Sequence, residues 1–367
     1  MIITVNKSDF ADALAAASRA VPTRPTMPVL MGVLLEADGD GLRITGTDLE
    51  TTVRAKIPAA VETGGKSLIP GRLLANIAAR LPNKPIEIKS DAGTTVISAG
   101  RTRFEIPEIP IDNYPPLADI PEEVGTIDGD LLAGMVKGAG VAAGSDVTLP
   151  MLTGIQIAAE DGLMTMAATD RFRLAVRRCD WDGGNFSVLA PAKPLAEALK
   201  HLAGETVTIG VDDGAMGLSV GNYSLTVRLL NADFPKWDRL IPNAANTLVE
   251  VDKGDLSEAV QRAGLVAERG AQVRLHVTDE GMELTARGDN LGESSESVAA
   301  HVTGEGMLIA FNPDYLRDGM NSYPCDTVTF ALDSPSRPAL IYPGSVPGVD
   351  ELPAGDLHLL MPVRLPN

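Results

Sequence analysis

A chain of 367 residues with 31 basic and 49 acidic side chains, formal net charge −18, has room for two to four domains of ordinary size, and a single small core is excluded. Apolar residues at 44% and charged residues at 22%, with a mildly positive mean hydropathy, exclude wholesale disorder. The acidic balance also argues against the usual basic-protein route to nucleic acid, in which Lys and Arg cover the contact surface.

In chain order, Met1 to Lys7 has no basic region followed by a long apolar stretch, and no apolar run reaches the ~18 residues of a bilayer span. A soluble, unexported, cytoplasmic protein is expected. Phe10, Leu14, Ala17 and Val21 recur at helical spacing. Strand-like segments follow at 29–35, 42–45 and 51–57, then a proline-initiated helix carrying Leu73, Leu74, Ile77 and Leu81, then strands at 86–90, 94–99 and 103–106. Amphipathic helices open two later segments as well, through Leu131, Leu132, Met135, Val136 and Ala139, and through Leu256, Ala259, Val260 and Ala263. Turns such as Asp38-Gly39-Asp40-Gly41 and Asp91-Ala92-Gly93 separate the strands. Two helices and many short strands per ~120 residues predict an α+β fold, with helices packed on one face of antiparallel sheet. With aromatics at only 4%, the cores must be aliphatic and packed by shape.

The pattern occurs three times. Gly41 to Asp48 is echoed by Gly162 to Asp170 and by Gly281 to Asp289, placing the aspartates 122 and 119 positions apart. Pro70, Pro191 and Pro313, each between a strand and a helix, are separated by 121 and 122. Asn113-Tyr114-Pro115-Pro116-Leu117 returns as Asp233-Phe234-Pro235-Lys236-Trp237. One period shared by independent markers predicts three homologous domains, 1–120, 121–246 and 247–367.

Catalytic chemistry has no local support. His201, His276, His301 and His358 lie in different segments without ligand spacing, and Cys179 and Cys325 are far apart with no CxxC. No metal and no cofactor is expected, and the cysteines read as small buried hydrophobes in a reducing compartment. Gly65-Lys66-Ser67 lacks the first glycine of a phosphate loop. Asp48, Asp170 and Asp289, one per repeat, are expected to cap strand-end amides. The six predicted helices together carry +2, which leaves −20 elsewhere. With helices facing inward, an acidic chain can still present a neutral-to-positive inner surface to phosphates.

Arg24-Pro25-Thr26-Met27-Pro28-Val29-Leu30, Thr45-Gly46-Thr47-Asp48-Leu49-Glu50, Ala168 to Val176, Phe234-Pro235-Lys236-Trp237 and Leu360 to Leu365 resemble, in order and over the whole chain, the signatures of the bacterial DNA polymerase III beta subunit family, the replicative sliding clamps. The resemblance implies three DNA-clamp domains per chain in a ring-forming homodimer. Such a ring would encircle double-stranded DNA and act as a non-catalytic processivity factor. Implied partners are the DNA polymerase III catalytic subunit, the clamp loader, repair polymerases and other proteins with a clamp-binding motif, with no membrane.

The resemblance further implies a partner-peptide pocket walled by Leu152, Thr169, Arg171, Phe172, Arg173, Leu174, Pro235, Arg239, Leu240, Met361, Pro362, Val363, Arg364 and Leu365. DNA-facing residues would be Arg24, Arg72, Arg80 and Lys193, with Ser145 and Thr148 in the loop 144–149. Leu149-Pro150 stands where some members carry an aromatic pair. At the subunit boundary, Arg101, Arg103, Phe104 and Ile106 would meet Leu265, Val266, Glu293 and Glu296. The competing reading is a repeat-domain scaffold or enzyme unrelated to DNA.

Overall fold

Asn6 ends the first strand and starts the first helix, because its side-chain oxygen accepts the Ser8 amide at 2.8 Å and so caps α1 (Lys7–Arg19). The computed structural model describes residues 1–39, 41–199, 204–266, 272–288 and 292–365. The second helix, α2 (Gly71–Arg80), follows Pro70, whose ring suits the entry to a helix. Phe10, Ala13, Leu14 and Ala17 of α1 and Leu74, Ile77 and Ala78 of α2 are buried in one aliphatic core with Ile3, Val33, Leu35, Ile44, Ile69, Ile88 and Ile97 from the surrounding strands. At Gly46 a β-carbon would lie 2.0 Å from the Ala17 carbonyl oxygen, so only glycine lets α1 rest on that strand.

The remaining helices are α3 (Gly129–Gly140), the short α4 (Pro150–Thr153), α5 (Ala192–Leu199), α6 (Lys253–Ala263) and α7 (Pro313–Asn321). Asp252 caps α6 through the Asp255 amide, and Asn312 caps α7 through the amides of Asp314 and Tyr315. Leu256, Ala259 and Val260 of α6 share a core with Leu316 and Met320 of α7, repeating the arrangement of α1 and α2. α5 is described over Ala192–Leu199, and residues 200–203 lie outside the described residues. The strand predicted from residue 29 begins at Gly32, because Pro28 opens a 3-10 turn over Pro28–Met31.

Among the described residues, four antiparallel sheets hold the helices. The first runs in the order Ala59–Thr63, Ile2–Val5, Ile86–Asp91, Thr94–Ala99, Thr102–Pro107. The second runs Glu123–Asp128, Thr206–Val211, Ala215–Val220, Tyr223–Arg228, Thr51–Ile57, Gly41–Thr47, Gly32–Asp38, Gly65–Pro70. The third runs Phe186–Pro191, Gly154–Glu160, Leu163–Thr169, Arg173–Asp180, Leu357–Leu360, Ala339–Pro343, Thr327–Leu332, Thr247–Asp252, Ala300–Gly304. The fourth runs Gly292–Val298, Gly281–Gly288, Val273–Thr278, Met307–Phe311.

Two pairings join one predicted repeat to the next. Thr51–Ile57 pairs with Tyr223–Arg228, with Thr51 opposite Val227, and Arg173–Asp180 pairs with Leu357–Leu360, with Arg173 opposite Leu360. Because the sheets run on across these joints, the chain clusters into two compact units, Met1–Gly129 with His201–Leu229 and Asp130–Lys200 with Leu230–Asn367. Among the described residues, no helix is long and apolar enough to cross a membrane.

Candidate functional site

The segment Thr169 to Arg173 turns back on itself between two strands and is held by its own polar side chains. The Thr169 hydroxyl donates to the Arg173 carbonyl at 2.7 Å and accepts the Arg171 amide at 3.1 Å. One carboxylate oxygen of Asp170 accepts the amides of Phe172 and Arg173, each at 3.0 Å. Arg171 takes a positive φ of 80° to close the turn. Thr47 to Thr51 builds the same turn: Asp48 accepts the amides of Glu50 and Thr51, Thr47 donates to the Thr51 carbonyl, and Leu49 has φ 77°. Both aspartates thus cap amides, whereas Asp289 lies outside the described residues.

Identical backbones carry different side chains. In the later turn Phe172 is thrust outward, 54% exposed, with its ring stacked 6.4 Å from that of Tyr315 on α7. Arg173 lies 4.3 Å above the Tyr315 ring and donates to Asp170 at 3.0 Å and to Asp318 at 2.9 Å. The Met361 amide donates to the Phe172 carbonyl at 2.8 Å, and the Val363 amide to the Ala310 carbonyl at 2.8 Å, so the C-terminal segment runs beside the turn. Leu174 is buried in an apolar cluster with Trp237, Leu357 and Leu359. After Trp237, the exposed Arg239 and Leu240 form a 3-10 turn, and Pro235 is exposed just before it. Leu152 is buried on α4, its carbonyl accepting the Gly144 amide. Met361 and Val363 are exposed apolar side chains, while Pro362 and Leu365 are half-buried and Arg364 is exposed.

Tyr315 and Asp318 were absent from the sequence-derived set, although their i, i+3 spacing on a capped helix puts both on one face. Arg177 was absent too. It is buried, and its guanidinium lies 4.2 Å from the Tyr323 ring centre, donates to the carbonyls of Val176 and Leu357 and donates to Ser322 at 2.5 Å.

His358 is fully buried nearby, and burial, then the charges of Arg177 and Arg173, lower its pKa from 6.5 to about 3. The unfolded chain therefore takes up a proton below about pH 6.5 that the folded chain refuses until about pH 3. Stability is expected to be complete above this window and to fall by about 1.4 kcal/mol per pH unit within it. Denaturant titrations at several pH values check this: His358→Met should flatten the acid limb, and an unchanged limb would place its origin elsewhere.

Whole-chain comparison settles the family. Three family descriptions match in order: "DNA polymerase III beta subunit, N-terminal domain" over residues 1–118, "central domain" over 126–236 and "C-terminal domain" over 238–352. The chain belongs to the DNA polymerase III beta subunit family. It is 36% identical over 376 residues to the beta sliding clamp of Streptomyces coelicolor, covering 100% of both chains. The DNA polymerase sliding clamp of Bacillus subtilis is 27% identical with a TM-score of 0.92, covering 100% of this chain and 99% of that one. A Pseudomonas aeruginosa sliding clamp solved bound to griselimycin is 25% identical with a TM-score of 0.91, covering 100% of both. Sliding clamps of this family are non-catalytic processivity factors of DNA polymerase III.

In this clamp chain the other sequence-derived residues are distributed as follows. Arg24, Arg72, Arg80 and Lys193 are exposed, with Arg72 and Arg80 on α2. Ser145 and Thr148 are exposed, but the Thr148 hydroxyl donates to Asp146 at 2.6 Å, and the hydrogen bonds from Thr148 lower the pKa of that carboxyl. The loop tip therefore presents a carboxylate beside the hydroxyls.

Arg101 precedes the strand Thr102–Pro107, an edge of the first sheet, and Glu293 and Glu296 lie on Gly292–Val298, an edge of the fourth. Ile106 is buried in the chain's own core, on the strand face opposite to the exposed Arg103 and Glu105. Phe104, two residues earlier on the same face as Ile106, is 39% exposed. Leu265 is 78% exposed, and Val266 packs partly on its own core. Glu296 is held by Arg262 at 2.6 Å and 3.0 Å. Among the described residues, no group of three or more His, Cys, Asp or Glu could hold a metal ion.

Proposed function

We propose that the chain acts as a homodimer, two copies joined head to tail through sheet edges and closed around duplex DNA, carrying polymerase without reacting with it. One observation supports this above the rest: the same joint occurs twice within the chain. In each case the last strand of one repeat, Tyr223–Arg228 or Leu357–Leu360, pairs with the strand following the aspartate turn of the preceding repeat, Thr51–Ile57 or Arg173–Asp180. Even the closing hydrogen bond recurs, Arg228 amide to Glu50 carbonyl and Met361 amide to Phe172 carbonyl, both at 2.8 Å. One strand of each kind is then left at a sheet edge, Thr102–Pro107 in the first repeat and Gly292–Val298 in the third. Two copies satisfy both edges at once, which is the closed form of a head-to-tail contact. Phe104, Leu265 and Val266 form its apolar part, with Arg101 and Arg103 opposed to Glu293 and Glu296.

In this reading the domains are 1–120, 121–246 and 247–367, and the protein works in the cytoplasm, where Cys179 and Cys325 stay reduced. Arg24, Arg72, Arg80, Lys193, Ser145 and Thr148 make loose, water-bridged phosphate contacts, as sliding requires. The turn 169–174 and the segment 361–365, with Leu152, Pro235, Arg239 and Leu240, receive short apolar peptides of the polymerase, the clamp loader and repair proteins: an exposed ring and aliphatic walls for anchors, arginines for carbonyls and acidic flanks. The test is topological. After loading, the protein should stay on closed circular DNA and be lost once that DNA is cut to a linear form. Equal retention on both would overturn mechanical linkage and favour the scaffold alternative.

A further inference from the structure

The segment 109–120 crosses the face of the second sheet that carries Leu34, Glu36, Arg43 and Arg54, and lines with it a half-open cavity of about 520 Å³ that nothing in the clamp reading uses. It is pinned at one end by the Ile109 amide, which donates to the Leu68 carbonyl at 2.8 Å, and at the other by Arg54, whose Nη2 donates to the Ala118 carbonyl. Pro110, Pro115 and Pro116 stiffen the strap between these points. The Tyr114 ring packs on Val29, Leu30, Leu34 and Leu68, which leaves its hydroxyl facing the polar floor.

That floor is charged. Glu36, Arg43, Arg54 and Lys66 rise from four neighbouring strands, and Asp119 faces them from the strap, so cations exceed anions by one. Glu36 is already taken, by Lys66 at 2.5 Å and Arg43 at 3.9 Å. Two buried polar atoms have no hydrogen-bond partner: Nη1 of Arg54 on the floor and the hydroxyl of Tyr114 on the strap. Burial lowers the pKa of Arg54 and raises that of Tyr114 to about 12, so one remains a cation and the other a neutral donor.

Leaving two such donors unsatisfied is costly, and the cavity has many times the ~30 Å³ that one water occupies. Unspent donors on facing walls, with surplus positive charge, call for an acceptor-rich ligand of small size. We propose that this cavity is a binding site for a small oxyanion, a phosphate or a carboxylate, which bridges Arg54 and Tyr114 and so fastens the strap to the sheet.

Hydrogen exchange of the full-length protein, followed at residues 111–120, tests it with inorganic phosphate, acetate and chloride at matched ionic strength. Saturable protection by phosphate or acetate, absent with chloride, is expected. Phosphate alone identifies a tetrahedral ligand, and acetate acting at least as well identifies a planar one. Tyr114→Phe, which keeps the ring and its packing, should raise the half-saturating concentration roughly three- to tenfold, and Arg54→Gln roughly tenfold or more. Should Arg54→Gln fail to fold, Tyr114→Phe alone decides. Protection equal in chloride, no saturation at millimolar anion, or unchanged half-saturation in Tyr114→Phe would each overturn the proposal.

Discussion

On the proposed peptide site, Arg173→Ala should weaken binding of a clamp-binding peptide by roughly 30- to 1,000-fold, the range of a truncated interface arginine. The guanidinium links three elements: it pairs with Asp170 in its own turn and with Asp318 on α7, and it covers the face of Tyr315, against which Phe172 also stacks. Alanine removes the cation that, on the proposed docking, would meet an acidic or carbonyl-rich peptide, and it also removes the prop beside Phe172. Asp318 is 42% exposed, so water recovers much of what it loses and the fold survives. Deleting residues 361–367 in the same chain removes the adjoining wall and should abolish binding. Neither change touches the strands Thr102–Pro107 or Gly292–Val298, so the dimer should be retained. Anisotropy of a labelled peptide measures the first effect and sedimentation the second. Unchanged affinity would show that the peptide docks elsewhere.

Arg177→Ala should cost about 3 kcal/mol of stability, a large loss for a single side chain. Arg177 is 3% exposed, and its hydrogen bonds satisfy two buried carbonyls and the Ser322 hydroxyl while its plane covers Tyr323. Asp356, 3.9 Å away, is the nearest carboxylate. Removing the side chain takes a charged hydrogen bond from each of those groups, uncovers the Tyr323 ring and opens a gap beside Gly138, where even a β-carbon would sit 2.5 Å from the arginine Nε. Arg177→Met restores volume without hydrogen bonds and should recover part of the loss. Denaturant midpoints for the three proteins check the order, and a midpoint for Arg177→Ala equal to the parent's would contradict it.

Much of the architecture could be read from spacing. The period near 120 identified the repeat, and helical periodicity located α1, α2, α3 and α6, because aliphatic side chains at i, i+3 and i+4 have few alternatives to burial. The aspartate turns were legible for a similar reason. An Asp at the end of a strand, two and three residues before the amides it captures, acts within its own segment, and Asp48 and Asp170 do the same work in both described repeats. The strands Ala59–Thr63 and Ala300–Gly304 were not foreseen, since neither has a strong alternation of its own and each forms by pairing with the first strand of its repeat.

Side-chain partnership across long separations was the less legible part. Ile106 is an apolar residue on an edge strand, equally suited in sequence to an interface and to the chain's own core, and only the packing around it shows that the core of the first repeat holds it. Arg173 was found by resemblance, but its partners Tyr315 and Asp318 lie 142 and 145 positions further on. Arg177 gave no sign of burial, since a cation enters a core only when distant groups, here Ser322, Tyr323 and Leu357, converge to receive it.

The sequence by itself determined that this chain is a threefold α+β repeat, because periodicity and turn chemistry are local, and its motifs, by resemblance, pointed to the sliding-clamp family that whole-chain comparison shows. The tertiary structure alone decided which side chains each repeat exposes and which it buries. Turns of the same backbone carry Leu49-Glu50-Thr51 in one repeat and Arg171-Phe172-Arg173 in the next, and what each can bind depends on groups brought beside it by strands and helices far along the chain.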